Sequence, residues 1–303
     1  MARTPALTTG AFALVGALAL AGCASGDPLD AEGDGGGSGG DAGAIVIGSQ
    51  DYYSNEIIAE IYAQSLEEAG FTVEREYRIG QREVYMPELE AGEIDLLPEY
   101  TGNLLQYFDP EATVTSREDV YAALEEALPE GLHVLDDADA TDQDSYVVTA
   151  EFAEEHSLAE IGDLAGVDGL VLGGNSELET RPYGPEGLSS VYGVDVSFTP
   201  IEDSGGPLTV KALRDGDVQL ADIYSADPVL AEGDLVVLED PESLFLASHV
   251  VPVVSDNVDE EAAAVIDEVS ADLTAEDLIQ MNATSVQEES SAEVIAADWL
   301  ASR

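Results

Sequence analysis

From residue 44 onward, short apolar runs alternate with stretches of helical periodicity. "AIVIGS" (44–49) has the length and composition of a buried strand. Ser54 then reads as an N-cap with Glu56 in the first turn. Ile57, Ile58, Ile61, Ala63 and Leu66 follow at helical spacing, and Gly70 stops the helix. "FTVEREY" (71–77) alternates as a strand does, and a helix is expected near 81–91. "EIDLL" (93–97) reads as a strand that ends on Pro98. After a helix near 116–128, the acidic run "DDADATDQD" (136–144) breaks the rhythm. Strands are then expected within 145–150, 170–174, 218–224, 235–240 and 250–255, and the tail from Val258 reads as three helical segments. Such alternation implies an α/β fold with layered, mainly parallel sheets. The order of the runs suggests two lobes, 44–144 plus 250–303 and 145–249. Two crossings between them would make a hinge, with a ligand cleft between the lobes.

The charge balance narrows the partners. The 303 residues include 9 basic and 64 acidic side chains, for a net charge of -55, while 45% of the residues are apolar. A core can form, but the surface repels nucleic acid and anionic membrane. Salt would screen its self-repulsion, so adaptation to high salt is expected.

The first residues read as a processing signal. Arg3 supplies a short positive region, and Ala11 to Ala21 is an apolar run of signal-peptide length, too short to span a bilayer. "LAGC" (20–23) ends on the only cysteine in the chain. It resembles the lipobox of bacterial lipoproteins, which implies cleavage after residue 22, lipidation of Cys23 and attachment to the outer face of the cytoplasmic membrane. Residues 23–43, rich in Gly, Ser and Asp, then read as a flexible tether.

Several motifs tempt and fail. "DSGGPL" (203–208) matches the nucleophile segment of trypsin-like proteases, which would make Ser204 the nucleophile of an exported hydrolase. That chemistry needs a histidine base oriented by an acid. His133, His156 and His249 stand in no such context, so the motif reads as a Gly-Gly turn with Pro207 opening a helix over 207–214. A calcium loop framed from Asp137 puts Asp142 where glycine is required and Val148 where a bidentate glutamate belongs, so 136–144 reads as a solvated acidic loop. No zinc pattern is present, and "LGGNSE" (172–177) has neither the dinucleotide fingerprint nor a P-loop lysine. No enzyme activity, metal or cofactor is expected.

The aromatics and arginines remain. Tyrosine is common (12) and phenylalanine scarce (6). Tyr100, Tyr146 and Tyr224 fall at expected strand ends or turns on both lobes. Arg181, in "LETRPYG", is one of few cations between Arg117 and Arg303 and so a candidate anion clamp.

At these residues the chain resembles a family. "GSQDYYSNEIIAEIYAQSLEEAGFTVEREY" (48–77) and "GEIDLLPEYTGNLL" (92–105) are similar to the N-terminal lobe of substrate-binding proteins of osmoprotectant ABC importers, the OpuAC-like glycine betaine/choline/carnitine class. "DQDSYVVT" (142–149), "GGPLTVKALRDGDVQLADIYSAD" (205–227) and "MNATSVQEESSAEVIAADWL" (281–300) continue the likeness across essentially all of 45–300. The resemblance implies a two-lobed type II periplasmic-binding-protein fold, permease and ATPase partners, and a monomeric receptor. It also implies a quaternary ammonium ligand held in a tyrosine cage. A trimethylammonium group has no N–H to donate, so aromatic faces must hold its diffuse charge. A ligand carboxylate would need an arginine fork. The likeness implies Tyr100, Tyr146 and Tyr224 as cage walls, Asp144 beside them, Arg181 as the carboxylate clamp, and Gln50 and Asn103 as polar contacts. The family's fourth tyrosine is replaced by Ser248, next to His249. That departure allows a larger betaine such as ergothioneine, or a gap filled by Phe245 or Tyr183.

Overall fold

The structure is a computed structural model that describes residues 43–303. The expected signal peptide (1–22), Cys23 and the tether up to residue 42 lie outside the described residues.

Two five-stranded sheets organise the chain. The first has the order β2-β1-β3-β10-β4, built from β1 (Ile45–Gly48), β2 (Val73–Glu76), β3 (Leu96–Tyr100), β4 (Leu132–Val134) and β10 (Val250–Ser255). The second has the order β7-β6-β8-β5-β9, built from β5 (Tyr146–Thr149), β6 (Val171–Gly174), β7 (Ser197–Pro200), β8 (Leu220–Asp222) and β9 (Leu235–Val237). Both sheets are mixed, which corrects the expectation of mainly parallel pairing. β10 runs antiparallel to β3 and β4, and β5 antiparallel to β8 and β9. These are the strands that follow the crossings, so each enters its sheet from the opposite direction.

The apolar run "VVPVVS" is explained by burial on both faces. Val250 and Val254 pack into a core with Ile57, Ile61 and Leu66 of α1 (Tyr53–Glu68) and with α8 (Glu260–Asp272), α9 (Ala275–Glu288) and α10 (Ala292–Ala301). Val251 and Val253 point the other way, toward Tyr85, Met86 and Leu89 of α2 (Arg82–Glu90), Leu104 of α3 (Thr101–Phe108) and Leu124 of α4 (Arg117–Ala127). The second sheet is likewise covered on both sides. Tyr146 and Val148 face one core, while Val147 faces another with Val210 and Leu213 of α7 (Pro207–Asp215). α5 (Ala150–His156) and the single turn α6 (Pro185–Gly187) complete the helices named below.

Three local expectations are corrected. Ser54 does not cap α1; Tyr52 holds the N-cap position, and Ser54 is buried inside the first turn, accepting from Asn282 Nδ2 at 3.2 Å. Pro98 does not end its strand. β3 runs on to Tyr100, and Pro98 sits opposite Pro252, a pairing of two residues that both lack an N–H. The acidic stretch 136–144 is not a solvated loop: Ala138, Ala140, Asp142 and Asp144 are buried. It forms one crossing and is zipped to the other, with Ala138 N donating to Val250 O at 2.8 Å and Val250 N to Ala140 O at 3.0 Å.

Candidate functional site

One cavity collects residues from the strand ends of both sheets. The loop after β1 gives Gln50 and Tyr52, and the start of α2 gives Gln81 and Arg82. The β3–α3 junction gives Tyr100 and Asn103, and the crossing gives Asp142 and Asp144. From the other side come Asn175, Glu177, Leu178, Arg181 and Tyr183 after β6, then Asp222 and Tyr224 at the end of β8. Ligands of open α/β sheets bind at such carboxyl ends. The free volume is about 40 Å³, on the order of three water molecules.

Contacts across the cleft hold the halves together. Tyr53 Oη donates to Asp227 at 3.0 Å, Asn103 Nδ2 to Tyr183 Oη at 3.1 Å, and Gln81 Nε2 to Ser204 Oγ at 3.4 Å. Arg181 spans the same gap, with Nη1 at 2.7 Å from Glu83 Oε1 and Nη2 at 3.2 Å from Oε2.

Four tyrosines line the space: Tyr52, Tyr100, Tyr183 and Tyr224. Tyr52 and Tyr224 meet edge-on with ring centroids 5.1 Å apart. Burial, reinforced by nearby carboxylates, pushes all four hydroxyls up, so they remain neutral. Tyr100 is placed by Glu99, whose side chain points to the opposite face of β3. There it accepts Arg82 Nε at 2.7 Å, Arg82 Nη2 at 2.8 Å, Tyr85 Oη, and the Tyr100 amide at 3.0 Å.

The other expected site residues divide. Tyr146 does not line the cavity. It is fully buried in the core of the second lobe, its ring 5.0 Å from Phe245 and its hydroxyl donating to the Tyr183 carbonyl. The sequence placed it at a strand start; the alternation of β5 sends its side chain behind the wall. Phe245 is half-buried against the same core, and Tyr183, a member of that core, also reaches the cavity. Gln50, Asn103, Asp144, Arg181 and Tyr224 are all in the lining.

Ser248 is absent from the lining because it serves α3. Its Oγ accepts from the Gly102 and Asn103 amides at 3.2 and 3.3 Å and donates to Asn103 Oδ1 at 2.7 Å. It therefore fixes the Asn103 amide, whose Nδ2 turns to Asp144 and Tyr183. The opening expected at Ser248 is taken up by these contacts with α3. Gly102 is needed for the same junction rather than for ligand approach. A Cβ there would lie 2.8 Å from the carbonyl oxygens of Leu246 and Ala247. His249 faces away, half-buried near Arg117 and Asp137. The loop that presents Arg181 and Tyr183 closes on Gly184, where a Cβ would sit 2.0 Å from Leu178 O.

Tyr52 was missed, although it lies two residues from Gln50. "DYYS" offers two adjacent tyrosines, and only the turn decides that Tyr52 points inward while Tyr53 reaches Asp227.

Charge in the cavity is unbalanced. Four carboxyl groups (Asp142, Asp144, Glu177, Asp222) face two guanidinium groups. Both guanidinium groups are engaged by carboxylates outside the lining, Arg82 by Glu99 and Arg181 by Glu83. The Arg181 fork expected for a ligand carboxylate is thus already filled. Burial pushes Asp142 up to about 7, against hydrogen bonds from Ser54 and the Ala226 amide. Burial also raises Glu177, and raises Asp222 well above the carboxylate range, with neighbouring Asp144 adding to the rise.

Ser204 has no base. It lies at φ 53°, its amide donating to Asn175 Oδ1 at 2.9 Å and its Oγ accepting from Asn175 Nδ2 at 3.2 Å. Asp203 caps α7 through the Leu208 and Thr209 amides. "DSGGPL" is a helix start.

Two mixed α/β lobes, two crossings and a cavity between strand ends define a bilobal solute receptor. A family model described as the substrate binding domain of ABC-type glycine betaine transport systems matches residues 43–302, and the chain belongs to this family. The glycine betaine-binding protein YehZ of Escherichia coli K12 is 26% identical over 275 residues, covering 86% of this chain and 90% of that protein. The crystal structure of a glycine betaine/carnitine/choline ABC transporter component superposes with a TM-score of 0.68 at 21% identity, covering 85% of this chain and 98% of that one. Lactococcal OpuAC, in its closed conformation with glycine betaine, gives 0.62 at 15% identity over 86% and 95% of the two chains. The fold is that of the type II periplasmic binding proteins. The chain is a substrate-binding protein of the ABC-type glycine betaine transport class, not an enzyme, and such receptors work outside the cytoplasmic membrane. Among the described residues, no helix is long and apolar enough to cross a membrane.

Proposed function

We propose that the protein captures a quaternary ammonium solute between its lobes, in a cage formed by Tyr52, Tyr100, Tyr183 and Tyr224, and presents the closed form to its permease. One observation carries this reading: four neutral tyrosines share a small cavity with four carboxyl groups that, among the described residues, have no ion-pair partner of their own. An alkylated cation that cannot donate a hydrogen bond is held by aromatic faces and long-range charge, and this lining supplies both. The ligands for which the relatives are named, glycine betaine, carnitine and choline, share that head group.

Closure follows from the lining. The tyrosines come from both halves, so a bound cation gains its full set of aromatic contacts only when the halves meet. Arg181–Glu83 and Tyr53–Asp227 then act as latches. The lobes divide as 44–144 plus 250–303 and 145–249, and the receptor works as a monomer. It is tethered through a lipid on Cys23; mass spectrometry of the mature protein should show a chain that begins at Cys23 and carries the lipid mass.

A thermal-shift panel tests the ligand class. Glycine betaine, choline, carnitine, proline betaine and ergothioneine are compared with amino acids that lack an alkylated nitrogen. At least one of the first group should raise the melting temperature, by mass action on the folded state. A rise only with the simple amino acids would contradict the proposal.

A further inference from the structure

One side chain of α9 ties two walls of the tyrosine-lined cavity together from outside it. Asn282 is fully buried and is not part of the lining. Its Nδ2 donates one proton to Ser54 Oγ at 3.2 Å and the other to Ala226 O at 3.1 Å. Ser54 follows Tyr52 by two residues, and Ala226 follows Tyr224 by two. A single amide thus joins the segments that carry two cavity tyrosines, one from each sheet.

The segment after β8 is held on all sides. Asp227 N closes a turn on Tyr224 O at 3.0 Å, so the placing of Ala226 fixes that of Tyr224. Ala226 N donates to Asp142 Oδ1 at 2.8 Å, and with its carbonyl on Asn282 both of its polar groups are engaged. Ser225 N donates to Gln143 O at 2.9 Å, and Tyr53 Oη to Asp227 at 3.0 Å. Ala226 follows a strand of the second sheet, yet it is 1% exposed and shares the core of the first with Tyr52, Ile57 and Leu278. Residues 224–227 are a clasp from one lobe set into the other. Asn282 Oδ1 has no partner among the described residues. That unpaired acceptor offsets much of what the two donated bonds contribute, so the amide adds little to stability beyond the link itself.

Resting on the quaternary-ammonium reading, we infer that Asn282 is a positioning residue for solute capture: through Ser54 and Ala226 it sets the separation of Tyr52 and Tyr224. The two rings meet edge-on with centroids 5.1 Å apart. A shift of either segment opens the corner they form, and a cation is held by an aromatic face only within about 6 Å of the ring centroid. The width of that corner therefore selects the size of the alkylated head group. The clasp consists of protein groups alone, so it is in place before the solute arrives.

Isothermal titration tests this with two pairs of probes. Choline and glycine betaine are each compared with the analogue that carries three ethyl groups in place of the three methyls. In the wild type the methyl form should bind about fivefold or more tighter, the scale of overpacking a close-fitted site. Asn282→Leu keeps the volume, removes the amide, and should narrow that ratio by about threefold or more. A merely structural loss would lower the fraction of active protein and leave the ratio alone. An unchanged ratio in the variant, or equal binding of methyl and ethyl forms in the wild type, would overturn the inference and leave the quaternary-ammonium reading standing. Binding of none of the four probes by the wild type would overturn both. Amide exchange in the solute-free wild type gives a check that needs no variant. The Ala226 amide should exchange as slowly as those of β8. Exchange at the rate of exposed loops, slowed only when solute is added, would show a clasp made by closure and would overturn the inference.

Discussion

Tyr100 and Tyr146 show what a residue's position in a strand decides. Both look alike in sequence, each an aromatic at one edge of an apolar run. Tyr100 points from the end of β3 into the cleft, and Tyr146 points from β5 into the core beneath it. Tyr146→Phe should therefore cost stability, about 1 kcal/mol for the lost hydroxyl bond to Tyr183 O. Its solute affinity should stay within about threefold, as read by urea denaturation beside calorimetry. A cage wall would show the reverse. Tyr224 and Arg181 also stood out in the sequence, by position and by charge, whereas Gln50, Asn103 and Asp144 were marked only by the family resemblance. The sequence could not separate the two faces of β5, and it could not show that Glu83 fills the Arg181 fork, since that partner lies across the cleft. Asp142 carries a pH signature. Its carboxyl keeps a proton in the fold up to about 7, whereas the unfolded chain releases it near 3.8. The raised folded-state value favours the fold at low pH, and that advantage is lost as pH rises from about 4 through 7. At 1.36 kcal/mol per pH unit this amounts to about 4 kcal/mol. Asp142→Asn should flatten the fall in ligand-free stability across that interval, measured by denaturation at several pH values. A slope identical to wild type would remove Asp142 as its source.

At the scale of elements, β3 and its junction with α3 place the site. The stretch 92–103 reads as a strand broken by Pro98, because proline ordinarily ends a ladder. The pairing partner decides otherwise: β10 brings Pro252 opposite Pro98, and the strand continues to Tyr100. The cap of α3 was equally illegible, since Ser248 comes from 145 residues away to accept the Asn103 amide. Short-range rules find local caps, as with Ser116 on α4 and Thr274 on α9, and fail where the cap arrives from another crossing. The Arg82–Glu99 pair locks the start of α2 to β3 with both side chains buried. Glu99→Ala leaves a buried guanidinium without its counterion, and should lower the unfolding free energy by about 3–5 kcal/mol. A loss below 1 kcal/mol in chemical denaturation would show that water replaces the carboxylate there.

At the scale of the molecule, the two-lobed α/β plan was legible because apolar runs in doubly covered sheets are continuous and unmistakable. The mixed strand directions were not, because a run of valines is the same read either way. β4 and β7 also escaped notice, being three and four residues long, and β7 is largely exposed. The surface charge acts on the whole body. With a net charge of -55, like-charge repulsion opposes compaction. Raising sodium chloride from about 0.1 to about 2 M should raise the melting temperature by roughly 5 °C or more, since the Debye length shrinks to a few ångström. A melting temperature that stays flat or falls would contradict a salt-adapted surface. The role proposed for the tyrosines at the mouth of the two sheets is to hold a quaternary ammonium head group. Calorimetric titration of choline into the wild-type protein and into Tyr100→Ala addresses it directly. Binding should be saturable in the wild type and weaken by roughly 5- to 30-fold in the variant, the 1–2 kcal/mol of a desolvated cation–π contact. Choline binding of undiminished affinity in Tyr100→Ala would contradict it.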